Sequence, residues 1–287
     1  MPVKNILVTG ANGQLGNECQ TLAKKFTDTN FIFTDVAELS ITDQSAIESI
    51  FSKNNFDYCI NAAAYTAVDA AENDFEAANT INATAVGYLA AACKKYHCRL
   101  IHISTDYVFD GENHKGYNVE DQTSPVNVYG ATKLNGEKLA LEWNPNSIVI
   151  RTSWVYSFHG KNFVKTMMKL MQEKSEISVV ADQIGKPTYA ADLADAIFKI
   201  IFSGKTFEPG IYHYANQGII SWHEFALAIK EIGGYSCVVN PIPSSAYPVP
   251  AKRPHYSILL TDKIEHTFGI QIPNWKDSLQ KCMMLFQ

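Results

Sequence analysis

The chain has 287 residues, 46% hydrophobic and 18% charged, with 24 Lys+Arg against 29 Asp+Glu and a formal net charge of −5. That is enough apolar sequence for the core of one large or two smaller domains, and the mildly acidic balance gives no electrostatic case for nucleic acid or anionic membrane as a partner. No apolar run approaches the roughly 20 residues that span a bilayer, the sequence opens straight into a strand with no leader pattern, and the cysteines at 19, 59, 93, 98, 237 and 282 contain no C-x-x-C, so reduced thiols in a cytoplasmic protein are expected.

Ile6-Leu7-Val8 predicts a strand and Leu15 to Phe26 a helix. Phe31-Ile32-Phe33 is the next strand, and Ser45 to Ser52 the next helix, with Thr42 or Asp43 as its N-cap. Tyr58-Cys59-Ile60 is followed by a helical pattern from Phe75 to Tyr96, Leu100 to Ile103 by a helix from Tyr129 to Trp143, and Ile148 to Ile150 closes the series. Near-continuous apolar strands alternating with amphipathic helices predict an α/β fold. The sheet is parallel, doubly wound (Rossmann) and covered on both faces. The polar, turn-rich stretch from Asp110 to Asn127 is expected as a surface loop near a site. Ile177 to Val180 and Asp192 to Phe202 read as a further strand and helix of the main sheet. From about Phe207 the pattern turns irregular, with prolines at 209, 241, 243, 248, 250 and 254. The expected division is a dinucleotide-binding domain of residues 1–155 and about 176–203. A smaller substrate-binding subdomain takes about 156–175 and 204–287.

Gly10-Ala11-Asn12-Gly13-Gln14-Leu15-Gly16 lies between the first strand and the first helix. Gly10 permits a tight turn, Gly13 a close backbone approach to a pyrophosphate and Gly16 close packing of helix on strand. The helix start offers free N–H groups to phosphate. Asp35 ends the second strand, where a carboxylate either hydrogen-bonds a ribose 2′-OH or serves as a turn residue. No arginine lies between Gly16 and Asp57, so a dedicated 2′-phosphate clamp is not visible; NADH is favoured and NADPH stays open.

Small residues Ala62, Ala63 and Ala64 after the third strand let a cofactor lie against backbone, or start a helix. Ser104-Thr105-Asp106 after the fourth strand offers hydroxyls to a carbonyl, or caps a turn. Tyr129 and Lys133 share one helix face at i, i+4. A phenol with a pKa of about 10 is a poor acid at neutral pH, and a neighbouring ammonium is expected to lower it. Alone, the pair also fits an ordinary amphipathic helix. All these pieces come to one edge of a parallel sheet.

In that order and spacing, the chain resembles the extended short-chain dehydrogenase/reductase superfamily. More closely it resembles the dTDP-4-dehydrorhamnose reductase family. The carrying segments are GANGQLG from Gly10, NAAAYTAVDAAE from Asn61, ISTDYVFDG from Ile103, SPVNVYGATKLNGE from Ser124, RTSWVYS from Arg151 and KRPHYSILLTDKI from Lys252. The resemblance implies Tyr129 as general acid, Lys133 on the nicotinamide ribose, and Thr105 (or Ser104) on the carbonyl. It places NADPH or NADH on Gly10, Asn12, Gly13, Gln14, Leu15, Gly16, Asp35, Ser40, Ile41, Ala62, Ala63, Ala64, Tyr65, Tyr129 and Lys133. A dTDP-sugar would meet Val68, Ser104, Thr105, Asp106, Tyr129, Trp154 and Arg253. Some members bind magnesium through a first-helix Glu and a later acidic pair. Here only Glu18 and Asp192 remain, so the donor set is incomplete. Tyr256 stands where the family usually has Asn, with Arg253 and Ser257 retained. The implied reaction is reduction of the C4 ketone of dTDP-4-dehydro-β-L-rhamnose to dTDP-L-rhamnose, and a homodimer is the one protein assembly the resemblance raises. The alternatives are another nucleotide-sugar 4-ketoreductase or epimerase, and a partner-binding subunit like the β subunit of methionine adenosyltransferase.

Overall fold

The computed structural model describes residues 3–286. Strand β1 (Lys4–Thr9) leads through the glycine turn into α1 (Gln14–Ala23), and β2 (Thr29–Thr34) into α2 (Gln44–Lys53). β3 (Tyr58–Asn61) is followed by α3 (Val68–Ala71), α4 (Phe75–Asn79), a π turn (Thr80–Thr84) and α5 (Ala85–Lys95). β4 (Arg99–Thr105), α6 (Val128–Trp143) and β5 (Ile148–Thr152) come next. The second half runs β6 (Val155–Tyr156), α7 (Phe163–Glu173), β7 (Glu176–Val180), β8 (Ile184–Gly185), β9 (Thr188–Tyr189), α8 (Ala190–Phe202) and β10 (Gly210–His213). It ends with β11 (Ile220–Ser221), α9 (Trp222–Gly233), β12 (Val238–Ile242), β13 (Tyr256–Ser257), α10 (Asp262–Phe268) and α11 (Trp275–Met284).

The main sheet is parallel, in the order β10-β5-β4-β3-β1-β2. Side chains alternate between its faces with the period of two that strands impose. Ile6, Val8, Ile60, Ile101 and Ile150 pack under α1 and α8, against Leu15, Leu193 and Ile197. Leu7, Cys59, Leu100 and Val149 pack on the other side under α2, α5 and α6, against Phe51, Leu89 and Ala140. Asp43 is the N-cap of α2, its carboxylate accepting from Ser45 N at 2.9 Å and Ala46 N at 3.0 Å. Among the described residues no helix is long and apolar enough to cross a membrane.

Two expectations are corrected, the placement of Ile177 to Val180 and the absence of a main-sheet strand from the tail. Ile177 to Val180 does not join the main sheet. It lies in β7, paired parallel with β12, Ile177 opposite Val239. Burial explains this: Ile177 and Val179 are buried while Glu176 and Ser178 are exposed, a one-faced pattern unlike the doubly covered strands of the main sheet. The sixth strand is instead β10, with Gly210 opposite Ile148, hidden in the sequence behind Pro209 in the irregular tail. Helix α8 does pack on the main sheet as expected. The remaining tail builds a third core with α7, around Val164, Met171, Phe225, Ile229 and Leu279. The helix expected from Phe75 to Tyr96 runs without a gap from Phe75 to Lys95, with the π turn of Thr80–Thr84 inside it.

Helix α6 sits unusually close to its neighbours. A Cβ on Gly130 would lie 2.0 Å from Tyr107 O, and one on Gly136 2.0 Å from Asn82 O. Glu137, one residue on, is buried and binds Arg151 of β5 through Nη2 at 2.8 Å and Nε at 2.9 Å. Ser104 of β4 donates to the same carboxylate. Arg151 Nη1 reaches Val119 O at 3.4 Å, which ties the loop of residues 110–127 to the sheet. Removing one partner of such a pair strands the other charge. Glu137→Gln is expected to cost about 3–5 kcal/mol of unfolding free energy in urea titration at neutral pH; a loss under about 1 kcal/mol would show that α6 is seated by something else.

Candidate active site

The carboxyl ends of β1, β2, β3 and β4 share one edge of the sheet. Gly10 leaves β1 at φ +69, and a Cβ there would strike Ala63 N at 2.5 Å. Gly13 N donates to Gly10 O at 3.0 Å, closing the turn. Gly16 could not carry a Cβ either, since it would lie 2.3 Å from Gly10 O. Gly13 stands at the N-cap of α1 and has no side chain to cover the first N–H groups, which leaves them for an anion. Asp35 touches this turn directly: its Oδ2 accepts from Asn12 N at 2.9 Å and its Oδ1 from Val36 N at 2.8 Å.

The other expected cofactor residues divide by what their side chains do. Leu15 and Ile41 are core residues, so only their backbone is available to a ligand. Ser40 Oγ pairs with Thr42 Oγ1 at 2.9 Å, and Gln14 Oε1 accepts from Asn162 Nδ2 at 2.9 Å. The backbone of Ala62 and Ala63 forms the wall against Gly10, and Ala64 follows them in the chain. Tyr65 is held through its backbone. Asn82, in the π turn, accepts from Tyr65 N at 2.9 Å and donates to Tyr65 O at 3.1 Å and to Thr132 Oγ1 of α6 at 3.2 Å. Nothing in the segment TINAT marks Asn82 as a clamp in the sequence; the π turn creates the role.

Tyr129 and Lys133 share a face of α6, but not in the electrostatic relation expected. Lys133, 2% exposed, donates to Ile103 O at 2.6 Å. Burial pushes its ammonium down to about 8, with the Glu137 charge opposing. Burial also pushes the Tyr129 phenol up to about 12; the Thr105 hydroxyl opposes this and the Asp106 charge adds to it. In the protein without ligand, desolvation thus outweighs the lowering expected from Lys133, whose ammonium is turned to the strand below. Of the two hydroxyl candidates, Thr105 faces the phenol, while Ser104 points to Glu137 and is committed there. A one-residue step along a strand reverses the face.

Asp106 is buried, with Oδ1 accepting from Thr105 Oγ1 at 2.9 Å. Its Oδ2 has no partner at hydrogen-bonding geometry among the described residues. Burial raises the carboxyl to about 6 against the Ser257 and Thr105 hydroxyls. Trp154 has φ +48, an outlier for a bulky residue that persists only where the surroundings impose it. Its indole stacks on Trp222 at 3.6 Å between centroids, over Gly185, where a Cβ would come within 2.7 Å. Val68 opens α3, and its neighbour Asp69 binds Arg253 Nη2 at 2.6 Å. The guanidinium lies 6.0 Å from the Tyr107 ring centroid, and Tyr107 meets Tyr129 edge-on at 5.6 Å. Tyr256 packs near His114 at 6.2 Å. Asn127 caps α6 through Gly130 N at 2.8 Å and also holds Lys252 O at 2.8 Å, and Glu72 accepts from Val128 N at 2.9 Å. Asn82, Asp69, Trp222 and Glu72 therefore hold parts of the candidate site, and sequence reasoning passed over them.

No group of three or more His, Cys, Asp or Glu is placed to hold a metal among the described residues. Glu18 accepts from Ser157 at 2.6 Å, and Asp192 from Asn216 at 2.7 Å and from Ser278. A cavity of about 560 Å³ between His97, Arg99, Asn144 and Phe207 lies at the opposite edge of the sheet, away from all these groups. There Arg99 donates to Tyr58 Oη at 2.7 Å and lies over the Tyr58 and Phe207 rings. A cavity of about 380 Å³ between Asp182, Ser244, Tyr247 and Arg253 adjoins the site.

Residues 4–287 match the family described as RmlD substrate binding domain. The chain is 41% identical over 287 residues to a dTDP-4-dehydrorhamnose reductase of Aggregatibacter actinomycetemcomitans, covering 96% of this chain and 97% of the relative. It is 40% identical to the spore coat polysaccharide biosynthesis protein SpsK of Bacillus subtilis, covering 97% and 96%. A crystal structure of a dTDP-4-dehydrorhamnose reductase from Bacillus anthracis in complex with NADP matches with a TM-score of 0.95 at 37% identity over 99% of both chains. A UDP-glucose 4-epimerase from Thermus thermophilus, at 19% identity and a TM-score of 0.82, shares the fold.

The raised Asp106 carboxyl makes a stability prediction with a definite sign. The folded chain holds that proton more tightly than the unfolded chain, so this group's contribution is full below about pH 4 and lost as pH rises through about 6. Above that, wild type bears a buried charge. Asp106→Asn is expected to gain on the order of 1–3 kcal/mol at about pH 7.5, with the gain gone near pH 4, as read from thermal unfolding across pH. A loss of stability at pH 7.5, or a gain independent of pH, would contradict this.

Proposed function

The chain belongs to the dTDP-4-dehydrorhamnose reductase family, and we propose that it reduces the C4 ketone of dTDP-4-dehydro-β-L-rhamnose to give dTDP-L-rhamnose. The observation that carries this reading is the half-buried, desolvated Tyr129 phenol, facing Thr105 at the sheet edge where the glycine turn opens α1. A nicotinamide dinucleotide fits the residues present. Gly10 and Gly13 make a wall of bare backbone, α1 offers uncapped N–H groups, and Asp35 stands at the end of β2 beside Asn12. When bound, NADPH or NADH supplies the hydride.

The rest is the work of side chains. Thr105 orients the ketone oxygen toward Tyr129. The phenol, held near 12 by burial, is fully protonated at neutral pH, the form an acid needs. As the ketone oxygen becomes negative, Tyr129 Oη gives it the proton, so no alkoxide is left in a dry site. Lys133 keeps one N–H on Ile103 O and has two more donors for the ribose hydroxyls. Trp154, fixed against Trp222, offers its face to the sugar, and Asp106 accepts from a sugar hydroxyl. Arg253 faces the diphosphate. This division makes the tail and the third core the sugar-nucleotide side of the site, and the glycine turn with residues 35–65 the cofactor side.

The test is oxidation of NADH and of NADPH in the presence of the dTDP-4-keto-6-deoxyhexose pool made by the upstream enzymes. Turnover with at least one cofactor is expected; no rate above background with either overturns the reading. Tyr129→Phe is expected to lower kcat by about 100-fold or more, and near-wild-type turnover would remove Tyr129 as the acid.

A further inference from the structure

We propose that Asp69 is a positioning residue that aims Arg253 at the diphosphate of the substrate, an inference that rests on the nucleotide-sugar reading above. Arg253 presents two unlike edges. Nη2 donates to Asp69 Oδ2 at 2.6 Å, while Nη1 is buried with no hydrogen-bond partner among the described residues. A buried cationic N–H without an acceptor is costly and rare, and it marks where an acceptor is missing. The chain around it is fixed at three points. Asp69 Oδ1 accepts from Ala251 N at 3.2 Å, Asn127 donates to Lys252 O at 2.8 Å, and Pro254 lies so close to Gly111 that a Cβ there would come within 2.5 Å. Arg253 and Lys252 also line the cavity of about 380 Å³ next to the site. The guanidinium is therefore oriented before any ligand arrives, with Nη2 held by Asp69 and the exposed part of the side chain on the cavity wall.

A guanidinium fork matches a phosphate best when its plane is set in advance. Asp69 also carries a negative charge that repels phosphate, so its two effects oppose each other. Its side chain is 42% exposed against 19% for Arg253. Water therefore screens the repulsion across the site, whereas the 2.6 Å contact with Arg253 is direct. Positioning outweighs repulsion, and loss of the carboxylate should weaken binding.

The experiment is calorimetric titration of dTDP into the full chain and into Asp69→Asn, Asp69→Glu, Arg253→Ala and the double variant Asp69→Asn/Arg253→Ala. Asp69→Asn is expected to raise Kd about tenfold, equivalent to about 1.4 kcal/mol. Asp69→Glu, which keeps a carboxylate against Arg253, stays within about threefold of wild type. In the Arg253→Ala background Asp69→Asn changes Kd by less than about twofold, because there is no guanidinium left to aim. Unchanged or tighter binding by Asp69→Asn overturns the proposal, as does an effect that persists without Arg253. If Asp69→Asn does not fold, the Glu variant decides: loss of dTDP binding there also overturns it. A wild-type chain that binds dTDP but does not turn over the keto-sugar contradicts the reductase reading alone, and the titrations still judge Asp69. A wild-type chain that binds no dTDP overturns both.

Discussion

Helix α6 can bring an acid to the sheet edge because two of its residues have no side chain. Gly130 lies against the Tyr107 carbonyl and Gly136 against the Asn82 carbonyl, each at a distance that admits no Cβ. That contact sets the depth of the helix. Tyr129 then falls beside Thr105, Lys133 reaches Ile103 O, and Glu137 meets Arg151 and Ser104. One helix thus carries the proposed proton donor, the cation beneath it and the buried ion pair that anchors both.

The surrounding site departs from what stability alone would select. A carboxyl is held up at Asp106, an ammonium is held down at Lys133, a tryptophan sits at positive φ and an arginine nitrogen is buried without a partner. Each of these costs free energy in the unliganded protein. They lie on one edge of one sheet, and the doubly covered core beneath holds them there. Such a cluster is what a site built to meet a polar, charged ligand looks like before the ligand is bound.

Much of the fold was legible because parallel strands buried on both faces write themselves as short continuous apolar runs. Ile6 to Val8 and Leu100 to Ile103 are examples. Gly10 and Gly16 were readable because neither position admits a side chain, and Gly13 because it leaves the start of α1 bare. What stayed hidden depends on distant chain. Gly210 to His213 is a main-sheet strand only because it pairs with β5, and Ile177 to Val180 leaves the main sheet because β12 is available to it. Asn82 has its role through a local π turn that no residue pattern announces. Lys133 was read as lowering the phenol pKa because i, i+4 spacing shows a shared face; burial and the Ile103 carbonyl, which decide the outcome, are tertiary facts. Asp69 carries no mark in the sequence, because its partner Arg253 comes from the distant tail.

The claim on which the chemistry turns is that burial keeps the Tyr129 phenol neutral until the substrate oxygen draws its proton. It can be measured directly in the unliganded protein by 13C NMR, with tyrosine labelled at Cζ and Tyr129→Phe used to assign the resonance. Burial predicts a phenol that stays protonated past about pH 10, the ordinary tyrosine value. A Tyr129 resonance that titrates below about pH 9 would show the Lys133 charge, not desolvation, in control, and would contradict this account.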